Sequence, residues 1–192
     1  MIFVAAFFKR KGLIETIQAV NKLRSKGINI TLNAIGKGLP NRPQNADYIK
    51  EIETLVKGKD WILLQPFKKS HEIIEEMRKA DAFIMVSSHE TFGLVYVEAL
   101  TQKLPIIYTS DEGFDGFFED GFVGYSAIAG NSSDIANKIE QLIANYTKIQ
   151  SNFSRLNLES DFNWEHISLK YINMYNNIIN ENENENSIAV IS

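Results

Sequence analysis

The chain has no cysteine, which excludes a disulfide framework and thiolate chemistry. Its three histidines, His71, His89 and His166, are scattered without ligand spacing, so the expected metal set is none. It also lacks a long apolar run. The opening stretch from Met1 to Phe8 is too short to span a bilayer and carries neither a basic n-region nor a cleavage site. The chain therefore reads as cytoplasmic. Basic excess is absent too: the formal charge is −4, and three of the acids, Glu181, Glu183 and Glu185, fall in a terminal tail without basic residues. A nearly neutral body argues against a nucleic-acid partner. Sequons begin at Asn131, Asn145 and Asn152, but in an asparagine-rich chain without a signal peptide they carry no weight.

What is present is one domain's length of chain, 192 residues with 44% hydrophobic content, enough to bury a core. Ile2–Phe8 is a continuous apolar run, the pattern of a parallel strand covered on both faces. Gly12 opens a helix to about Lys26, with Leu13, Ile17, Val20 and Leu23 at helical spacing and Gly27 at its end. Further strands are expected at Ile28–Ile35, Trp61–Leu64, Ala82–Val86 and Pro105–Tyr108. After a loop through Pro40 and Pro43, helices are expected around Asp47–Val56 and, capped by Ser70, to Lys79. Beyond Tyr108 comes a glycine-rich loop and turn. Helices then follow from Ser132 or Ser133 to about Asn145, from Thr147 to Leu158, and from Phe162 to Ile179. The last is amphipathic, with Ile167, Tyr171, Met174, Tyr175 and Ile178 on one side. From Asn180 an alternation of Asn and Glu predicts a disordered acidic tail over 181–192, which leaves 1–180 as one domain. This alternation of strands and helices predicts a doubly wound parallel α/β sheet with C-terminal helices. In such sheets ligands bind at the carboxyl ends of the strands, where all the unusual loops lie.

The most informative stretch is Ser87 to Leu100. From Phe92 to Leu100 every residue except Glu98 is apolar or glycine, so a helix built from it is expected to be buried nearly all round, leaving Glu98 without an exposed face. Glu90 stands at the mouth of that helix. Phe92, Gly93 and Leu94 are expected as its first residues, whose N–H groups can hold an anion. With seven residues between them, the two glutamates would stand roughly 10–12 Å apart along a helix axis. Lys9-Arg10-Lys11-Gly12, between the first strand and helix, stands where a phosphate site is expected, and Gly36-Lys37-Gly38 closes the second strand. The plain alternatives are a solvated basic turn, an ordinary glycine turn and a salt-bridged strand-to-helix corner.

Taken together, Ser87, Glu90, Phe92, Gly93, Leu94, Glu98 and Ala99 resemble the signature of family-4 retaining glycosyltransferases. These are enzymes of the GT-B fold, built from two Rossmann-like domains. The resemblance covers roughly residues 2–179 and only the C-terminal, donor-binding half of such an enzyme. It implies a nucleoside diphosphate sugar as partner, UDP in preference to GDP, with no cofactor and no required metal. It implies that Glu90 contacts the donor sugar as the catalytic residue, that the Phe92 and Gly93 amides face the diphosphate, and that Glu98 holds the ribose. Lys11 and Gly12 fit the family's Lys-Gly on the diphosphate. Ala5 and Ala6 replace its glycine and arginine, so Lys9 or Arg10 is expected to supply the second charge.

Gly36 matches the family's Gly-x-Gly, and Phe67 lies in the loop that cradles the base, here without its usual glycine. Gly113 falls near the loop facing sugar and acceptor. His89 reads as a loop histidine. The implied acceptor domain, N-terminal and missing here, leaves donor binding without transfer, in the cytoplasm or at the inner face of the membrane. Two other readings are a sugar-nucleotide epimerase of GT-B architecture and a non-enzymatic flavodoxin-like binding module.

Overall fold

The computed structural model describes residues 1–38, 43–158 and 162–189. The loop expected through Pro40 and the final residues 190–192 lie outside the described residues. Six strands form one parallel sheet: β1 (Ile2–Val4), β2 (Leu32–Ile35), β3 (Ile62–Gln65), β4 (Phe83–Ile84), β5 (Ile106–Thr109) and β6 (Gly124–Ala127), in the order β3-β2-β1-β4-β5-β6. Ile2 lies opposite Asn33 on one side and Phe83 on the other, both in parallel register. The chain lays down β1, β2 and β3 in one direction and then returns to place β4 beside β1. The β1/β4 boundary is thus the point where the order reverses and a crevice opens.

The helices described in full are α1 (Leu13–Ser25), α2 (Pro43–Val56), α3 (Ser70–Met77), α4 (Leu94–Thr101), α5 (Ser132–Ala144), α6 (Tyr146–Asn152) and α7 (Trp164–Ala189). Ile2, Phe3, Phe83, Ile106 and Ile107 are fully buried, and helices supply Leu13, Val20, Leu23, Leu100 and Ile135 to the same core. Apolar runs at strand positions and apolar stripes at helical spacing account for this layering.

Several boundaries move. β1 is confined to Ile2–Val4 because Ala5–Phe8 leaves the sheet. α3 is capped at Lys69, not Ser70, and the Glu72 carboxylate accepts the Lys69 N–H at 2.8 Å. Asn131 caps α5, its side-chain oxygen accepting the N–H groups of Ser133 and Asp134. β6 lies inside what reads as a loop and turn. Of its residues Gly-Tyr-Ser-Ala the tyrosine alone favours strands, and its position depends on Gly124, where a Cβ would lie 1.8 Å from the Ile106 carbonyl oxygen.

The chain forms two compact units, Met1–Arg155 and the part beginning at Leu156, so the main unit closes well before residue 180. In the second unit α7 continues through Asn180 to Ala189, where the Asn-Glu alternation had suggested disorder. That segment has neither glycine nor proline, and glutamate is a good helix former. On α7, Tyr171, Met174, Tyr175 and Ile178 are exposed.

Candidate functional site

The crevice at the β1/β4 boundary is built by close backbone approach. Gly12 has φ 72°, and a Cβ there would sit 2.0 Å from the Val86 carbonyl oxygen, so only glycine lets the β1 loop lie against the end of β4. The Ser88 N–H donates to the Arg10 carbonyl at 2.7 Å and ties the two loops. This brings Lys11 to Glu90, with Nζ 2.5 Å from Oε2 and each side chain 14% exposed. Ser87 is buried, and its hydroxyl lies 3.4 Å from the same carboxylate oxygen. The Thr109 hydroxyl donates to the Ser87 carbonyl at 2.8 Å.

A third loop closes the corner. The Glu112 carboxylate accepts the N–H of His89 at 2.7 Å and of Glu90 at 2.5 Å. The Gly113 N–H donates to the Glu90 carbonyl at 3.3 Å, and a Cβ on Gly113 would lie 1.8 Å from the Thr91 carbonyl oxygen. His89 is exposed, at φ 60°, and its part here is played by its backbone. Sequence reading passed over Glu112, because a carboxylate that serves backbone amides leaves no spacing pattern. Its place directly before Gly113 was the only signal.

The second glutamate is placed differently from expectation. α4 begins at Leu94, with Gly93 as N-cap at φ 82°, so Phe92 and Gly93 precede the helix and the axial spacing does not apply over that part of the stretch. A Cβ on Gly93 would meet the Tyr96 ring at 2.4 Å. The Phe92 ring packs edge-on against Phe114 and Phe117. Nor is α4 buried all round. Tyr96, Ala99 and Leu100 face inward, whereas Leu94 is 70% exposed and Glu98 is exposed. Among the described residues the Glu98 carboxylate has no hydrogen-bond or ion-pair partner. Its partial desolvation still holds its carboxyl above the usual glutamate range. Burial also pushes the Tyr96 phenol up to about 12, so it stays protonated and donates to the Met85 carbonyl at 2.6 Å.

A cleft of about 660 Å³ opens over the ends of β1, β2 and β3, lined by Ala5, Ala6, Gly36, Lys37, Phe67 and Lys68 among others. The two alanines that replace the family's Gly-Arg pair thus form its wall. Lys9 and Arg10 are not brought there. The turn Lys9–Lys11 carries them to a separate hollow shared with Glu15, Ser88, His89 and Gly130, on the side where β6 ends. The chain turns after Phe8 and Gly12 pins it against β4, which sets them apart from the cleft walled by Ala5 and Ala6. Among the described residues no three His, Cys, Asp or Glu side chains gather as a metal site, and no helix is long and apolar enough to cross a membrane.

The profile of the glycosyl transferases group 1 family matches residues 1–156. The chain belongs to that family. It is 32% identical over 151 residues to the alpha-monoglucosyldiacylglycerol synthase of Acholeplasma laidlawii, covering 79% of this chain and 34% of that enzyme. To the capsular polysaccharide biosynthesis glycosyltransferase CapM of Staphylococcus aureus it is 28% identical over 184 residues, 94% of this chain and 47% of the relative. The chain thus spans half or less of the length of these relatives.

Among solved structures, HepE of Anabaena in complex with UDP superposes with a TM-score of 0.77 at 22% identity, over 92% of this chain and 48% of that one. The C-terminal domain of the group 1 glycosyl transferase LpcC of Francisella tularensis superposes with a TM-score of 0.71 at 28% identity, over 83% of this chain and 84% of that domain. The family member described here therefore has the fold of one Rossmann-like half of a GT-B glycosyltransferase, and it matches the C-terminal half.

Proposed function

We propose that this domain binds a nucleoside diphosphate sugar, a UDP-sugar in preference to a GDP-sugar, as the donor half of a retaining glycosyltransferase that requires no metal. The observation that carries this is the Lys11–Glu90 pair, fixed by Gly12 and Glu112 at the point where the sheet order reverses. A cation and a carboxylate held together there suit a ligand with an anionic part joined to a hydroxyl-rich part. Lys11 and the start of α4 would take the diphosphate. Glu90 would accept hydroxyl hydrogens of the sugar, Glu98 those of the ribose, and the cleft beside Gly36 and Phe67 would hold the base.

In the reaction the bond between the anomeric carbon and the diphosphate oxygen would break, the acceptor's hydroxyl oxygen would bond that carbon on the same face, and the hydroxyl proton would pass to the departing diphosphate. The Lys11 ammonium would meet the charge that grows on the leaving diphosphate, an electrostatic contribution made by a group already in place. The acceptor would be held by an N-terminal domain, and positioning across two closed domains supplies much of the rate. The setting would be cytoplasmic, with at most peripheral contact with the inner face of the membrane. Titration calorimetry with UDP, GDP and UDP-glucose tests the reading: UDP and UDP-glucose are expected to bind and not to need magnesium. Absence of binding by every nucleotide overturns it. This 192-residue chain is expected to bind donor without transferring sugar. Robust transfer by it alone, to any acceptor, would refute the division between two domains.

A further inference from the structure

Of the three non-glycine residues with positive φ among the described residues, two stand at the Glu90 corner, His89 at 60° and Asp111 at 59°. Both lie in the left-handed region, which a residue with a side chain occupies at a cost and keeps only where surrounding contacts hold it there. They are joined through Glu112. Asp111 directly precedes it, and the Asp111 N–H donates to the Asp115 carboxylate at 2.7 Å, which fixes the turn after β5 that delivers the glutamate. The Glu112 carboxylate then accepts from two successive N–H groups, with Oε1 2.7 Å from His89 N and Oε2 2.5 Å from Glu90 N. Consecutive N–H groups that converge beside a left-handed residue form a small concave anion site. Here the protein fills that site with its own carboxylate.

Both oxygens of Glu112 act on backbone, and the backbone they act on carries Glu90. The next residue, Gly113, donates its N–H to the Glu90 carbonyl at 3.3 Å, so the loop after β5 holds Glu90 by its N–H and its carbonyl together. The direction of the Glu90 side chain follows from that hold, and it leads to Lys11 Nζ and the Ser87 hydroxyl. Earlier residues of the same turn are fixed by other means: the Thr109 hydroxyl donates to the Ser87 carbonyl, and the Ser88 N–H to the Arg10 carbonyl. The hold on the His89–Glu90 peptide falls to Glu112. Resting on the donor-domain reading above, we infer that Glu112 is a positioning residue for Glu90, keeping His89 left-handed and so aiming the Glu90 carboxylate at the sugar of the donor. The groups assigned to the UDP part are placed independently of it. Gly12 seats the Lys11 turn against β4, and Glu98 is carried by α4.

The test is calorimetry with UDP and UDP-glucose on wild type, Glu112→Ala, Glu112→Gln, Glu90→Gln and the double change Glu90→Gln with Glu112→Ala. Glu112→Ala should weaken UDP-glucose about tenfold, the effect of losing a hydrogen bond to the Glu90 carboxylate, and leave UDP within about twofold. Glu112→Gln keeps one acceptor oxygen, so its loss should fall between wild type and Glu112→Ala. In the double change UDP-glucose should bind as it does to Glu90→Gln alone, because a carboxylate already removed cannot be misdirected. A role in the fold alone would lower thermal stability and weaken both ligands alike. That result overturns the inference, and so does an unchanged affinity for UDP-glucose or a pair of losses that multiply in the double change. A wild type that binds UDP and not UDP-glucose also overturns it, since no sugar is then received at Glu90. None of these results touches the donor-domain reading, which fails only if the wild type binds neither ligand. Circular dichroism confirms the fold of each variant. Should Glu112→Ala not fold, Glu112→Gln takes its place in the single and double comparisons.

Discussion

Glu90 and Glu98 stand on one stretch of chain, yet the corner around Glu90 is closed by the protein's own groups while the outer face of α4 around Glu98 is open. Glu90 has Lys11 on its carboxylate, Ser87 near it, and Glu112 and Gly113 on its backbone. Glu98 shares its exposed face with Leu94 and has no partner among the described residues. One carboxylate is paired within the fold, and the other meets solvent. The difference teaches that a pair of acids in one motif need not share one kind of site. The first is held by contacts within the fold, and the second stands on an open helix face.

The largest expected effect comes from breaking the corner's backbone contacts. Gly12→Val or Gly113→Ala would drive a Cβ to 2.0 Å or 1.8 Å from a carbonyl oxygen, and at Gly12 the backbone also has φ 72°. Each should lower stability by about 3 kcal/mol or more in urea unfolding. A loss under about 0.5 kcal/mol, the usual range for a surface change, would show that the corner is loosely held.

Next in size is the charge pair. Lys11→Met would leave Glu90 unpaired at a mostly buried position, at a cost of about 3 kcal/mol, the low end for such pairs because some solvent reaches it. The double change Lys11→Met with Glu90→Leu should recover most of that loss. Glu98→Leu on the open face should change stability by only about 0.5 kcal/mol. Comparable losses for Glu90 and Glu98 substitutions would erase the contrast between the two regions.

Ligand binding should reverse the ranking. Glu98→Gln is expected to weaken UDP and UDP-glucose alike, about tenfold, the effect of losing a hydrogen bond to a charged group. Glu90→Gln should spare UDP and weaken only UDP-glucose. Equal losses for UDP in both variants would refute the assigned roles.

Much of this was legible because the informative patterns are local. Apolar runs marked β1, β2, β3, β4 and β5, and the motif from Ser87 to Ala99 pointed to the strand-end site. What sequence could not show depends on approach between distant segments. β6 was hidden in a Gly-Tyr-Ser-Ala segment held by contact with Ile106. The burial assigned to Glu98 failed because an apolar helix face can remain exposed, as Leu94 does. The path of Lys9 and Arg10 was hidden as well, because the packing of Gly12 on Val86 carries them to a hollow apart from the cleft. Glu112 makes its contacts with partners far along the chain, the N–H groups of His89 and Glu90.

The smallest effect expected is the pH response of Glu98, and it carries two opposite signs. Desolvation raises its carboxyl in the folded protein above the unfolded value. The folded state then holds that proton more tightly than the unfolded state. Stability from this group is greatest in acid and declines as pH rises from the unfolded pKa through the raised folded one. Glu98→Gln removes that decline, so it should be neutral below about pH 4, where the unfolded carboxyl is protonated, and slightly stabilising at pH 7. Under the proposed function binding would run the other way, because a ribose hydroxyl would need the carboxylate as acceptor. Wild-type affinity for UDP-glucose, whose diphosphate keeps its charge throughout this range, should fall as pH drops through the raised pKa. The Glu98→Gln affinity should be weak and flat over the same interval. Thermal unfolding and calorimetry across pH 4–8 read both trends. If Glu98→Gln destabilises the domain at pH 7, the carboxylate has a partner within the fold. The open face would then be as closed as the corner at Glu90.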